Sequence, residues 1–319
     1  MVMSGSLRVL LAGGSGLVGR AVRSKLSAAS HAVTVLSRAN EAGAADVLTW
    51  NELNDGAAGE GRFDVVINAC GSRFLDPLVP WNDKTRDEIR TSRVGTAKAL
   101  SELAAADDGI QRMVQITGVG AYPYSQSELY TEKSEVTRND ADFFQSLVCD
   151  WEAAARDGHD KTTVIRSGVV LARDGGAFKE QLLLYKLGMG APMGSGGQPF
   201  PWIHIDDLAT LIVHAAGGDG SAADQDHEQR PRLFNGVAPS AEGDTAQDFT
   251  DQFKRALGRP LWFPPVNVPG FVARGLFGGA DRADFLLKGM RVRPEAAMQS
   301  GFEFRFATLA AALDDLCKT

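Results

Sequence analysis

The sequence predicts an α/β fold, a doubly wound parallel sheet with a smaller C-terminal lobe. Three observations carry this. Short β-branched apolar runs alternate with segments of helical periodicity through the first half. A glycine loop stands between the first run and the first helix. Ten of the 13 prolines fall after residue 190, so the second half is built more from loops and turns. Arg8-Val9-Leu10-Leu11-Ala12 is long enough for a buried strand and too short for a helix. Gly13-Gly14-Ser15-Gly16-Leu17-Val18-Gly19 follows, and Leu17, Val18, Val22 and Leu26 then recur at helical spacing. The second strand is expected over 32–36, with further strands over 63–68, 112–117 and 162–166. Helices are expected between them, over 91–106 and 142–156. Such alternation implies right-handed crossovers and a parallel sheet. Farther on, Gly188 to Gly197 is a glycine loop without periodicity, and 219–231 is a polar surface excursion. A helix is expected over 245–257. Thr245-x-x-Asp248 offers a capping box, Phe249, Phe253 and Leu257 share a face, and Gly258 and Pro260 close it.

Composition bounds the function. The 319 residues fit about two domains or one large α/β unit. With 44% hydrophobic and 23% charged residues the chain is globular, neither disordered nor fibrous. A net charge of −7 speaks against nucleic-acid or anionic-membrane partners, and no apolar run approaches a membrane span. Met1-Val2-Met3-Ser4-Gly5 carries no targeting signal, and Cys70, Cys149 and Cys317 form no Cys-x-x-Cys. A cytoplasmic protein with reduced thiols is expected. His31, His159, His214 and His227 are isolated, so no metal site is expected.

Gly13-x-x-Gly16-x-x-Gly19 between a strand and a helix is the setting a dinucleotide needs. Glycines let the backbone approach a pyrophosphate, and the helix offers free N–H groups and the positive end of its dipole. Gly13, Ser15, Gly16, Leu17, Val18 and Gly19 are therefore cofactor-binding candidates. An NAD site places an acid at the end of the second strand for the ribose hydroxyls. This chain has Ser37-Arg38 there, with no acid before Glu41. A guanidinium grips a 2′-phosphate by paired hydrogen bonds, so NADP(H) is the expected cofactor.

These residues resemble the extended short-chain dehydrogenase/reductase group. Further blocks narrow the resemblance to an atypical epimerase-like branch, described in places as cell-division-inhibitor-like. They are Leu48-Thr49-Trp50-Asn51-Glu52-Leu53, Asn68-Ala69-Cys70-Gly71, Ser92-Arg93, Trp151-Glu152-Ala153-Ala154-Ala155 and Arg166-Ser167-Gly168-Val169-Val170-Leu171. Trp202-Ile203-His204-Ile205-Asp206-Asp207-Leu208, Asn235-Gly236-Val237-Ala238-Pro239, Arg291-Val292-x-Pro294 and Gly301-Phe302-x-Phe304 complete the set. The resemblance implies a Rossmann-type domain over 6–170, completed by about 200–238, and a smaller C-terminal α+β substrate lobe from 171–199 and 239–319. That lobe is expected to roof the nicotinamide end. The resemblance also implies that Ser37 and Arg38 meet the adenosine phosphate. Ala69, Cys70, Gly71, Glu88, Arg93, Thr117, Ser167, Gly168 and Val170 would line the cofactor. Relatives usually carry Leu-Ala where this chain has Ala69-Cys70. Glu88 and Arg93 fit equally well as a surface ion pair.

The superfamily's proton machinery is missing. Typical members use a Ser or Thr and a Tyr-x-x-x-Lys, in which the lysine lowers the phenol pKa. None of Tyr122, Tyr124, Tyr130 and Tyr185 has a lysine four residues on. Counting from Glu152 and Tyr122 puts Phe144, Val148 and Gly118 in the three places. Tyr122, Glu132 and Thr117 are the candidate replacements, each with a structural alternative as a loop or strand residue bonded to its surroundings. His204 is expected to be structural, with Asp206 or Asp207 as a helix N-cap. Arg166 is open between a substrate-anion clamp and a tie to Asp206. Three readings follow: an oxidoreductase on an unknown small molecule, a non-catalytic NADP(H)-dependent regulatory or binding module, and a nucleotide-sugar epimerase.

Overall fold

The structure is a computed structural model that describes residues 5–39, 44–57, 61–72, 79–187, 190–218, 231–258, 267–276 and 280–318. Glu41, 219–230, His227 and Pro260 lie outside the described residues. In chain order the strands are β1 (Arg8–Ala12), β2 (Ala32–Ser37), β3 (Val47–Thr49), β4 (Val65–Asn68), β5 (Arg112–Gly118), β6 (Ser125–Tyr130), β7 (Thr162–Ser167), β8 (Val169–Leu171), β9 (Trp202–His204), β10 (Leu233–Gly236) and β11 (Met290–Val292). The helices are α1 (Leu17–Ala28), α2 (Trp50–Glu52), α3 (Asp83–Arg90), α4 (Thr96–Ala106), α5 (Phe143–Arg156), α6 (Gly176–Lys186), α7 (Ile205–Ala216), α8 (Ala246–Ala256), α9 (Gly270–Leu276), α10 (Ala280–Leu287), α11 (Glu295–Gln299) and α12 (Leu309–Cys317).

Seven strands form one sheet in the order β10-β7-β5-β4-β1-β2-β3, and every pairing in it is parallel. The Rossmann-type, doubly wound α/β architecture is thus present. Strand order reverses at β1, which pairs with β2 on one side and β4 on the other. In open sheets of this kind the crevice outside that reversal is where ligands bind. Val22 and Leu26 of α1 and Leu208 and Ile212 of α7 pack with Val9, Leu11 and Ile67. Ala97, Leu100 and Ala104 of α4 and Trp151 of α5 pack with Leu10, Val66 and Met113, so the strands are buried on both sides. A second core joins Tyr122, Trp202, Phe249, Phe253 and Leu313.

Local signals account for the helix ends. The Thr245–Asp248 capping box forms in both directions, and Asp142 caps α5 through Phe144 and Gln145 N–H. The helix expected over 91–106 is instead continuous with α3 through a widened π turn, Thr91–Gly95. There Thr96 Oγ1 donates back to the carbonyls of Ser92 (2.9 Å) and Arg93 (3.0 Å), and Ser92 Oγ donates to that of Ile89 (3.0 Å). Such back-bonding competes with the regular ladder and opens it.

Candidate cofactor and reaction site

The glycine loop is shaped by close approach. Gly13 has φ +78°, and a Cβ there would lie 2.7 Å from the backbone of Ala69. A Cβ at Gly19 would sit 2.1 Å from the carbonyl oxygen of Gly13, so α1 can start tight against the turn only with glycine. Gly16 N donates to Gly13 O at 2.9 Å, and Arg20 Nη1 holds the carbonyl of Ser15 at 2.8 Å. No side chain caps α1, and its first turn carries no acid. Its N–H groups and dipole are left for an anion. Leu17 and Val18 are half-buried, and Leu17 packs where Cβ atoms on Gly175 and Gly176 would meet it at 3.2 and 3.4 Å. The loop and the start of α6 are therefore in contact.

Ser37 ends β2 half-buried, and Arg38 beyond it is exposed. An acid does stand one strand over, but it is engaged: Glu52 accepts from Thr49 N (2.7 Å) and Oγ1 (2.8 Å). The Thr49 N–H bond first, then its hydroxyl, holds that carboxyl below its usual range. Cys70 N–H donates to Asn68 Oδ1 at 3.0 Å, and burial pushes the Cys70 thiol up to about 11. That thiol is protonated at neutral pH.

Glu88 and Arg93 do not form an ion pair with each other. Glu88 is exposed and pairs with Lys84 at 4.0 Å. The π turn carries Arg93 inward to 8% exposure, where Nη2 donates to Ser72 O at 2.9 Å and the guanidinium lies 5.4 Å from the Trp151 ring centroid. Burial lowers its pKa to about 10. A side chain at Gly71 would meet that guanidinium at 3.2 Å.

At the far end of the crevice the polar groups bond to one another. Thr117, buried at the end of β5, donates Oγ1–H to Glu152 Oε1 at 3.2 Å. Glu152 also takes both Arg166 Nε (2.7 Å) and Nη2 (2.8 Å). Of the two alternatives for Arg166, the structural tie is present, but to Glu152 rather than Asp206. The Arg166 guanidinium lies 4.7 Å from the centroid of the Tyr122 ring. Tyr122 is 1% exposed, with its hydroxyl 2.9 Å from Asn235 Oδ1 and 3.0 Å from Thr131 O. Burial raises its pKa. Glu132 accepts from Asn235 N at 2.8 Å, and burial raises its carboxyl as well. Asn235 Nδ2 donates in turn to Arg293 O at 3.0 Å.

Phe144 and Val148, which the count from Glu152 assigns to the places of the usual tyrosine and lysine, are both buried. Gly118 leaves open space, with nothing nearer a Cβ than 3.9 Å. Ser167 donates to Gly168 O at 2.9 Å, and Gly168 has no room for a side chain because Pro201 O would lie 2.6 Å from it. Val170 pairs with Ile203. The N-cap of α7 is His204 itself. Its Nδ1 accepts from Asp206 N at 3.1 Å, while Asp206 pairs with Lys25 and Arg305. Asp207 is drawn away to accept the N–H groups of Arg305 (3.0 Å) and Phe306 (2.9 Å). Sequence reasoning missed the Glu152–Arg166 pair and the aromatic cover on Phe144. The first had a signal, since both residues stand in blocks already singled out; the second had none.

A groove of about 480 Å³ is lined by residues including Glu242, Arg293 and Glu295, and it adjoins the reaction end through the bond of Asn235 to Arg293 O. Its charges are already paired, Arg293 with Glu242 at 2.5 Å and Glu295 with Lys133 at 2.8 Å. Among the described residues no group of three or more His, Cys, Asp or Glu could hold a metal ion, and no helix is long and apolar enough to cross a membrane.

Comparison with known proteins agrees with this geometry. Residues 9–222 match the NAD dependent epimerase/dehydratase family, and 268–316 match a domain of unknown function, DUF1731. The epimerase family protein SDR39U1 of Bos taurus is 40% identical over 313 residues, covering 97% of this chain and 99% of the relative. The epimerase family protein YfhF of Bacillus subtilis is 28% identical, covering 97% and 98%. The crystal structure of human SDR39U1 (isoform 2) with NADPH superimposes with TM-score 0.86 at 38% identity, covering 98% of this chain and 99% of that one. A fingerprint loop at the strand reversal, joined to a likeness that runs end to end, makes the conclusion plain: the chain belongs to the NAD dependent epimerase/dehydratase family of extended short-chain dehydrogenases/reductases.

Proposed function

We propose that the chain binds NADPH across the carboxyl ends of β1 and β4 and serves as an oxidoreductase on a small molecule, without the superfamily's phenol-based proton transfer. One observation carries the cofactor choice. Arg38 follows β2, the glycine turn before α1 is uncapped, and Glu52, the acid just after β3, is held by Thr49. The NADPH-bound human relative supports the same choice. In this reading the loop Gly13–Gly19 takes the pyrophosphate, Ser37 and Arg38 the 2′-phosphate, and Ala69, Cys70, Gly71 and Arg93 the middle of the cofactor. Thr117, Ser167, Gly168 and Val170 stand toward the nicotinamide. Glu88, turned to solvent, stays outside this set unless bound ligand draws it in. NADPH, when bound, supplies a hydride. Thr117 and Tyr122 then act as braces, because each hydroxyl proton is committed inside the protein, while Glu132 is held through Oε1 and keeps Oε2 without a hydrogen bond. A nucleotide-sugar epimerase is the less supported reading, since a keto intermediate needs a proton donor of the Tyr type.

Calorimetric titration is the test of the cofactor. NADPH should bind more tightly than NADH, and Arg38→Ala should erase about tenfold of that preference. Equal affinities in the unaltered protein would overturn it. A second reading, the non-catalytic regulatory or binding module, is favoured by the internal bonds that engage Thr117 and Tyr122 at the reaction end. A panel of carbonyls and sugar nucleotides, followed by NADPH absorbance and product analysis, separates the two: firm binding with no turnover selects the module.

A further inference from the structure

Phe144 stands where a reacting phenol would, yet it is 6% exposed, and what covers it comes from far along the chain. Trp81 stacks on it with ring centroids 5.7 Å apart and 22° between planes, and Phe143 meets Trp81 edge-on at 5.3 Å. The Trp81 indole N–H donates to Asp281 Oδ2 at 3.1 Å, a bond spanning 200 residues. Arg86 Nη2 reaches the same oxygen at 2.8 Å. Arg282, 1% exposed, places its guanidinium 4.5 Å from the Trp81 ring centroid and donates Nη1–H to Val79 O at 2.7 Å. Phe285, one turn along α10, lies 5.5 Å from Phe144 itself.

These contacts form a unit. A buried guanidinium is costly unless hydrogen bonds and an aromatic face offset its burial, and here the Nη1 bond and the ring both come from the segment that leads into α3. Moving Trp81 away therefore uncovers Arg282 and Asp281 together, which makes the contact closer to all-or-none than a plain apolar wall. Neighbouring α9 adds little grip, with Phe271 75% exposed and Val272 42% exposed.

We propose that α10 is a latch over the reaction end of the crevice: Asp281 and Arg282 close on Trp81, and substrate reaches the face of Phe144 only when that grip is released. This rests on the reading of the crevice as the cofactor and substrate site. It gives the C-terminal segment a role in access.

Hydroxyl-radical footprinting with mass spectrometry tests the latch. In Asp281→Ala, which removes the acceptor shared by Trp81 and Arg86, oxidation of Trp81 and Phe144 should rise together by about fivefold, the size expected from losing a net hydrogen bond. The Trp202 control should stay protected, and NADPH affinity should stay within about twofold, since no cofactor-loop residue is touched. Unchanged oxidation, or a rise at Trp81 without Phe144, would overturn the latch. Should Trp202 also become reactive, the variant has loosened globally. Trp81→Phe, which keeps a ring and loses the N–H donor, then decides by the same reading at Phe144. A native protein that binds no NADPH would sink the cofactor reading and leave the footprint to stand on its own.

Discussion

The two ends of the crevice are built on opposite rules. At the phosphate end the backbone is bared: α1 begins without a side-chain cap, its first turn has no acid, and glycines bring Gly13 against Ala69. At the reaction end most polar side chains bond to one another, and only Glu132 Oε2 and Arg166 Nη1 of this network are buried without a hydrogen-bond partner among the described residues. Thr117, Glu152, Arg166, Tyr122, Asn235 and Glu132 bond or stack in one chain, and rings cover Phe144. Free donors at a helix start mark a place for a charged ligand, whereas side chains that bond mainly to one another mark a place whose shape is being held. On the proposed reading, the difference teaches that recognition of the cofactor and chemistry on it are separable. Substitutions at one end should cost binding, and those at the other should cost stability.

The largest effect should follow Glu152→Ala, which strands the buried Arg166 guanidinium. Breaking such a pair costs about 3–5 kcal/mol, to be read from urea unfolding. A loss below about 1 kcal/mol would mean that the network does not hold the reaction end. Gly19→Ala should come next. Its Cβ would collide with Gly13 O, costing about 1–3 kcal/mol, and NADPH affinity should drop at least as far by calorimetry. Retained affinity would break the contrast at its phosphate end. Tyr122→Phe should cost about 1 kcal/mol, because Asn235 Oδ1 loses its donor, and should leave NADPH binding unchanged. If a substrate is found, its turnover should survive this change; abolished turnover with intact folding would restore Tyr122 as a proton donor.

The smallest effect concerns pH. Burial holds the His204 imidazole below its ordinary value, against the opposing fields of Asp206 and Asp315. The unfolded chain therefore takes up the proton first, and stability falls as pH drops below about 6.5. Protonation would also remove the Nδ1 acceptor from the N-terminus of α7. His204→Asn keeps a cap and cannot titrate, so the native protein should lose ground to it from pH 7.5 to 5.5, by at most about 1.4 kcal/mol per pH unit. Parallel pH profiles would show that His204 does not report burial.

What could be read in advance was local. The glycine spacing, the missing acid after β2 and the Thr245 capping box each lie within a few residues, and backbone sterics or a single hydrogen bond fixes their meaning. The partners of Tyr122 and Trp81 lie 113 and 200 residues away, and no spacing announces them. The α7 cap shows the limit well. Asp206 and Asp207 are better N-caps than histidine, but Arg305 and Phe306 compete for both, and His204 takes the vacancy. The π turn at Thr91 likewise needed the back-bonds of Ser92 and Thr96, whose geometry exists only once the helix has formed.

The buried Asp207 carboxylate has a consequence for how the protein is made. Its two donors are the N–H groups of Arg305 and Phe306, 98 and 99 residues downstream. A ribosome adding about 5–20 residues per second leaves α7 with an unanswered interior charge for some 5–20 seconds after it is synthesised. The first lobe thus cannot reach its final stability while nascent. The seven-stranded sheet is complete once β10 is made, but the carboxylate of α7 waits on a segment that adds no strand to that sheet, and the early chain is the stage most open to chaperones and to misassembly.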